Sequence, residues 1–223
     1  MEYSTQGQTA AGRYAQLQSS RSTFDREAKE SSKLTIPSLI PESTTGTRAK
    51  IKTPFQAVGA RGVNSLASKL LFALLPPSTA FFKLSIDSLE LLKQGQEGLE
   101  TEIDKGLRTI ETALMNEIEI SNDRVAMFEA LKHLIVGGNV LLYLTDDGLK
   151  VYPLSKFVCK RDAVGNVLEI ITQESVSPKA LPSEFLEQIK QKENYDEKTM
   201  DADLDIYTYV KRVNDDFMWY QEC

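Results

Sequence analysis

Histidine and cysteine are scarce in this chain of 223 residues, which has one histidine, His133, and two cysteines, Cys159 and Cys223. A conventional structural zinc site needs four such ligands, so one chain cannot build it alone. Two cysteines without a Cys-x-x-Cys pair are also too few for a disulfide framework, which favours a reducing cytoplasm. We interpret His133 as a histidine on the surface of a helix, because it lies within a helical pattern.

Long apolar runs and targeting signals are absent as well. The longest apolar run, around Leu70 to Pro77, is far too short to span a bilayer, and we expect no membrane contact. The first residues lack the basic start and apolar core of a secretory signal. With 41% hydrophobic and 26% charged residues, the composition is that of an ordinary globular protein. A net charge of -6 argues against a DNA-coating protein.

Motifs for catalysis and for phosphate or calcium binding are missing too. No Gly-x-Ser-x-Gly elbow occurs, and residues 59–62 lack the strand and Lys-Ser context of a phosphate-binding loop. Asp201, Asp203 and Asp205 are spaced like the start of a calcium loop, but Ile206 and Arg212 replace the Gly and Glu that such a loop needs. The Asp pairs at 146–147 and 215–216 are typical of turns. We predict that the protein is not an enzyme and needs no cofactor or metal.

Helical patterns fill the first part of the chain. After a mobile arm of about a dozen residues, steps of three and four residues predict a surface helix that ends near Ser32. Thr53 and Pro54 are suited to the start of the next helix, as N-cap and first-turn residue, and Pro76 and Pro77 stop it. The apolar face of this helix is predicted to comprise Phe55, Val58, Val63, Leu66, Leu70 and Leu74.

Two glycines, Gly59 and Gly62, lie inside that helix and cost about 1 kcal/mol each relative to Ala. Their presence suggests that another backbone approaches closely. Further along, the pattern predicts a short strand over 81–86 and a long amphipathic helix over 99–118. A break at 121–123 follows, and then a helix that Gly137, Gly138 and Asn139 end.

From Val140 the pattern alternates with the period of strands. Turn residues at 145–148, 161–166 and 214–216 predict three hairpins, and a polar helix is expected over 182–192. The fold class is therefore α+β, with an arm and surface helix over 1–46, a helical region over 47–139 and a hairpin-rich region over 140–223. Because an aromatic edge strand is an awkward end for a domain, we expect a longer polypeptide beyond Cys223.

A small basic strip, Arg48, Lys50 and Lys52, precedes the helix start at Pro54. A solvated loop is the simpler interpretation, and contact with phosphate or with a partner is the alternative.

Three blocks of sequence resemble the portal proteins, or head-to-tail connectors, of podoviruses, the short-tailed bacteriophages. The blocks are TPFQAVGARGVNSLASKL at 53–70, RVAMFEALKHLIVGGNVLLYL at 124–144 and KRDAVGNVL at 160–168. TIPSLIP at 35–41 and ALP at 180–182 agree in order and spacing. The residues that carry the resemblance in the signature helix are Pro54, Gln56, Gly59, Arg61, Gly62, Asn64, Leu66 and Leu70.

The resemblance implies a structural subunit in a ring of about twelve copies at one capsid vertex. Such a ring serves as the passage for double-stranded DNA during packaging and ejection. It implies the following partners: further copies of the chain, the major capsid and scaffolding proteins, terminase, tail adaptor proteins, internal core proteins, and DNA without sequence specificity. The expected location is the portal vertex of the virion, after assembly in the host cytoplasm.

Within such a ring the chain would correspond to the peripheral wing, because it stops before the stem, clip and crown of the family. Two alternatives stay open. One is a free-standing, truncated or split portal-like protein that acts in head assembly, and the other is an enzyme of unknown type.

Overall fold

A computed structural model of the protein describes residues 9–41, 54–77, 79–85, 100–181, 203–214 and 216–223. Helices and antiparallel sheets are both present, so the α+β class is confirmed. The helices are α1 (Ala10–Ser20), α2 (Ser22–Leu34), α3 (Val58–Leu74), α4 (Glu100–Ile120) and α5 (Asp123–Gly137). The strands are β1 (Leu141–Thr145), β2 (Gly148–Tyr152), β3 (Phe157–Arg161), β4 (Val167–Val176), β5 (Leu204–Val213) and β6 (Asp216–Glu222).

The chain divides into two compact units. One, the sheet unit, combines Met1–Glu27 with Tyr152–Cys223, and the other, the helical unit, is Ala28–Val151. The sequence-based division after residues 46 and 139 follows changes of pattern along the chain. The compact units divide elsewhere, because a helix from the start of the chain packs on strands from its end.

The sheet unit is built on four antiparallel strands in the order β3-β4-β5-β6. Val158, Ile171, Tyr209 and Tyr220 lie opposite one another across the four strands. Helix α1 covers the face of the sheet on which they lie. The buried cluster there consists of Ala10, Tyr14, Val158, Ile171 and Tyr209.

The start of helix α1 is stabilised by an N-cap residue. Thr9 is its N-cap, and the Thr9 hydroxyl accepts a hydrogen bond from the Gly12 N–H at 3.1 Å. The helix therefore starts inside the stretch for which the sequence predicted a mobile arm; residues 1–8 lie outside the description. Ala10 and Tyr14 are buried, so the predicted surface helix is wrong in this part. A break at Arg21 also separates α1 from α2, where one helix was expected.

In the helical unit, α5 packs against both α3 and α4. Helix α3 ends at Leu74, as the prolines predicted, but it begins at Val58 without a side-chain cap, four residues after Pro54. Thr53 lies outside the described residues. The strand predicted over 81–86 is wrong for residues 81–85, which have no regular structure. Helix α4 and the break before α5 are confirmed.

The three hairpins are confirmed: β1 pairs with β2, β3 with β4, and β5 with β6. In the second hairpin the Asp162 carboxylate accepts hydrogen bonds from the N–H groups of Val164 and Asn166, which closes the turn. The helix predicted over 182–192 lies outside the described residues. No helix in the described ranges is both long enough and apolar enough to cross a bilayer.

Candidate functional site

The residues of the signature helix do not converge on one point. Pro54 and Gln56 precede α3, while Gly59 and Leu70 are half-buried within it. The remaining four, Arg61, Gly62, Asn64 and Leu66, are exposed. The signature therefore describes a whole helix and not a pocket.

Gly59 and Gly62 differ sharply in their surroundings. A Cβ atom added at Gly59 would lie 2.5 Å from the Leu34 carbonyl oxygen and 3.2 Å from the Thr35 Cα atom. The close backbone approach is therefore confirmed at Gly59, where the end of α2 meets the start of α3. At Gly62 the same prediction is wrong within the described part of the chain, because nothing there lies within 4 Å of an added Cβ.

Helix α3 consequently has two unlike faces. Val63 and Ala67 are buried, one turn apart, and Gly59 and Leu70 continue their line. The outer face of α3 consists of residues that are all exposed, namely Val58, Arg61, Gly62, Ser65, Lys69 and Phe72. The predicted apolar face is wrong for Phe55, Val58, Leu66 and Leu74, which are all exposed. Phe55 precedes the helix.

The helix-to-strand junction is built as its sequence predicted. Gly138 follows α5 in the left-handed conformation, with φ of 72°, and its N–H donates to the Leu134 carbonyl at 2.9 Å. At the other end of α5, the Asp123 carboxylate accepts a hydrogen bond from the Leu149 N–H at 2.8 Å. Asp123 therefore fixes the start of α5 to the β1–β2 hairpin that follows Gly137 and Asn139.

Arg124 links α5 to the end of α3. Its guanidinium donates to the Leu75 carbonyl at 2.7 Å, just after the last residue of α3. A cation at that place stabilises carbonyl groups that have no partner within the helix.

The candidate charged sites lie only partly within the described residues. The basic strip at Arg48, Lys50 and Lys52 lies outside the described residues, as do Asp201 and Asp215. Asp146 and Asp147 are exposed in the turn between β1 and β2. In the described ranges, no group of three or more His, Cys, Asp or Glu side chains could hold a metal ion.

His133 is buried, and its interpretation as a surface histidine is wrong. Burial lowers its pKa below the ordinary 6.5, although Glu129, whose Oε1 atom is 3.8 Å from Nε2, opposes that shift. The side chain is therefore part of the packing of α5 in its neutral form.

An ionic cluster in the sheet unit has no counterpart in the sequence predictions. Glu169 on β4 is buried and accepts hydrogen bonds from the Arg13 guanidinium of α1 and from the Tyr209 hydroxyl. Burial raises the pKa of Glu169, but these two donors and the charge of Arg13 outweigh it, so the pKa lies below 4.5. Glu222 on β6 accepts a hydrogen bond from the Ala10 N–H at the start of α1. No local signal could reveal this cluster, since Arg13 and Glu169 are 156 positions apart.

Large apolar side chains remain uncovered in both units. In the sheet unit, Trp219 on the edge strand β6 is 69% exposed and Phe217 is 60% exposed. In the helical unit, Phe72 on α3 and Ile110, Leu114 and Ile120 on α4 are exposed. Monomeric proteins rarely leave contiguous apolar patches uncovered, so these surfaces are candidates for contact with other protein.

Comparison with known proteins identifies the family of this chain. Residues 7–218 match the family model described as Bacteriophage head to tail connecting protein. The chain is 38% identical over 219 residues to the portal protein of Escherichia phage T7, which covers 94% of this chain and 40% of that protein. It is 39% identical over 222 residues to the portal protein of Enterobacteria phage T3, covering 96% and 41%. A portal protein of Pseudomonas phage phiKMV is 27% identical over 203 residues.

The chain thus spans about 40% of the length of the curated relatives that it matches. The match nevertheless extends over nearly all of the chain itself, with two relatives above 30% identity. The chain belongs to the family of bacteriophage head to tail connecting proteins, the portal proteins of podoviruses.

Proposed function

We propose that this chain is part of a portal subunit that assembles into a ring at one vertex of a phage capsid. Its relatives are named portal proteins, and the match to them covers 94% and 96% of the chain. In this proposal about twelve subunits surround a channel through which double-stranded DNA enters and leaves the head. The chain forms the peripheral wing of that subunit.

The observation that carries the proposal is the surface of the chain, taken together with the family match. Apolar side chains are exposed along the outer face of α3, along α4 and on β6. A subunit of a ring needs such surfaces, because each copy is covered on two sides by neighbours. An enzyme instead needs a concave site with converging polar groups. Among the described candidates, His133 is buried in packed structure and Asp146 and Asp147 lie in an exposed turn.

The remaining partners follow from the same role. A portal ring would contact the capsid and scaffolding proteins at its periphery, and terminase, tail adaptors and internal core proteins at its ends. The net charge of -6 is compatible with DNA that slides past without being held. The protein would then be located at the portal vertex of the virion, after assembly in the host cytoplasm.

Native mass spectrometry of the protein extracted from assembled particles tests this proposal, with the mass of the denatured chain measured alongside. A ring of about twelve identical chains, each carrying this sequence, is expected. If the sequence is found only in a chain of 25.0 kDa that is monomeric or forms small oligomers, the portal proposal is wrong. A free-standing accessory protein of head assembly would then replace it.

A further inference from the structure

Two exposed helix faces of the helical unit are opposite in charge. On α3, the outer face defined above carries two basic side chains, Arg61 and Lys69, and no acidic one. On α4, the outer face follows steps of three and four residues and carries two acidic side chains and no basic one. Its members are all exposed, namely Glu102, Gly106, Ile110, Ala113, Leu114, Glu117 and Ile120.

The charge difference extends to the whole of both helices. Helix α3 contains no acidic residue, whereas α4 has six acidic and two basic residues. Of the two basic residues of α4, Arg108 lies on the side away from its outer face, and Lys105 lies at the margin of that face, three positions after Glu102. In the described part of the chain, Arg61, Lys69 and Glu117 form no ion pair.

The shapes of the two faces also suit close packing. Each face has a glycine, Gly62 or Gly106, around which nothing described lies within 4 Å of an added Cβ. Ser65 and Ala113 are the small residues next along each line. Small residues between larger apolar ones let two helix backbones approach, so the surrounding side chains can interlock.

We propose that the outer face of α3 in one copy of this chain packs against the outer face of α4 in the next copy. This inference rests on the proposed function, because a ring requires a head-to-tail contact between two different surfaces of each subunit. Opposite charges on the two surfaces favour that pairing over α3 with α3 or α4 with α4, where like charges meet. The glycine at position 62 is then explained by a neighbouring subunit, since nothing described in its own chain occupies the space.

Charge reversal tests this contact. Lys69→Glu and Glu117→Lys are each expected to raise the concentration needed for half-assembly of the protein by roughly fivefold or more, because like charges then face each other. The proposed register is parallel, with Lys69 opposite Glu117 and therefore Ser65 opposite Ala113, four positions earlier on each helix. In this register the double variant restores opposite charges and should assemble close to the parent level. Arg108→Glu and Asp104→Lys make the same charge changes on the other side of α4 and should have little effect. Sedimentation velocity over a dilution series measures all five proteins against the parent.

Disulfide trapping provides an independent readout. In a background with Cys159→Ser and Cys223→Ser, chains with Ser65→Cys are mixed with chains with Ala113→Cys and oxidised. Mixed dimers of the two chains are expected, whereas Thr112→Cys, on the far side of α4, should give none with Ser65→Cys.

These experiments distinguish a failure of the α3–α4 interface from a failure of the portal function. If the parent forms rings but the reversals and controls behave alike and no mixed disulfide forms, this interface is wrong and the portal proposal stands. If the parent forms no ring in particles or in solution, the proposed function is wrong, and this interface with it.

Discussion

Gly59 and Gly62 are three positions apart on α3, yet the structure predicts opposite effects for the same substitution. A methyl group at Gly62 enters open space, and Ala is preferred to Gly inside a helix by about 1 kcal/mol. Gly62→Ala should therefore raise the free energy of unfolding by about 0.5–1 kcal/mol. At Gly59 the methyl group would lie 2.5 Å from the Leu34 carbonyl oxygen, so backbone atoms must move. Such overpacking costs about 1–3 kcal/mol, and the propensity gain is reduced at the second residue of the helix.

The two variants should therefore differ by about 2 kcal/mol, with Gly59→Ala below the parent and Gly62→Ala above it. Urea unfolding followed by circular dichroism at 222 nm measures the difference, because most described helices belong to the helical unit. Fluorescence of Trp219, the single tryptophan, reports on the sheet unit in the same samples. If both variants shift the midpoint in the same direction, the contrast between a closed and an open glycine is wrong.

Ring assembly provides a separate test of the space around Gly62. Gly62→Leu should leave the monomer folded, since its own described chain offers no clash, but should weaken ring assembly if a neighbouring helix lies there. A ring that forms as well as the parent ring would contradict close packing at Gly62 of any kind.

Three further predictions concern Tyr14, Glu169 and Gly138. Tyr14→Ala should destabilise the sheet unit by about 3–5 kcal/mol, because the ring fills the core. Tyr14→Phe should cost only about 1 kcal/mol, because the hydroxyl makes one hydrogen bond, to the Ser155 carbonyl. Urea unfolding distinguishes the two variants. Because the pKa of Glu169 is lowered by folding, its ionised form stabilises the protein at pH values above its ordinary pKa of 4.5, and this stabilisation is lost as the pH falls below that value. Glu169→Gln should therefore flatten the acidic part of a plot of unfolding free energy against pH. Gly138→Ala should cost about 1–2 kcal/mol, because φ of 72° is strained for a residue with a Cβ, and Gly138→Asn should recover part of the loss in the same unfolding assay.

Local chemistry explains which elements the sequence could predict. The hairpins have turn residues within a few positions of the strands they join, and the end of α5 has a glycine suited to a left-handed conformation. Helix α4 has enough periodic apolar residues for its period to be unambiguous. The resemblance of residues 53–70, 124–144 and 160–168 to portal proteins was likewise a property of sequence alone, and the family match confirms it.

The start of α3 shows where local signals were insufficient. Thr53 and Pro54 have the chemistry of a helix start, but the helix begins at Val58, next to the glycine that packs on Leu34. The contact with α2 decides where the chain becomes helical, and Leu34 precedes Gly59 by 25 positions. Tertiary contacts also decide which residues of α3 are buried, because the exposure of a side chain depends on what covers it and not on its hydrophobicity.

The sheet unit depends most on tertiary structure. Composition, periodicity and turn residues by themselves determined the α+β class and the three hairpins. They could not predict that β4 pairs with β5 across 27 intervening residues, or that α1 covers the resulting sheet. Arg13 and Glu169 form an ion pair only because α1 packs on the sheet to which β4 belongs. Strand pairing and burial bring together residues that are distant in sequence. The packing that stabilises these contacts therefore cannot be read from any short stretch of sequence.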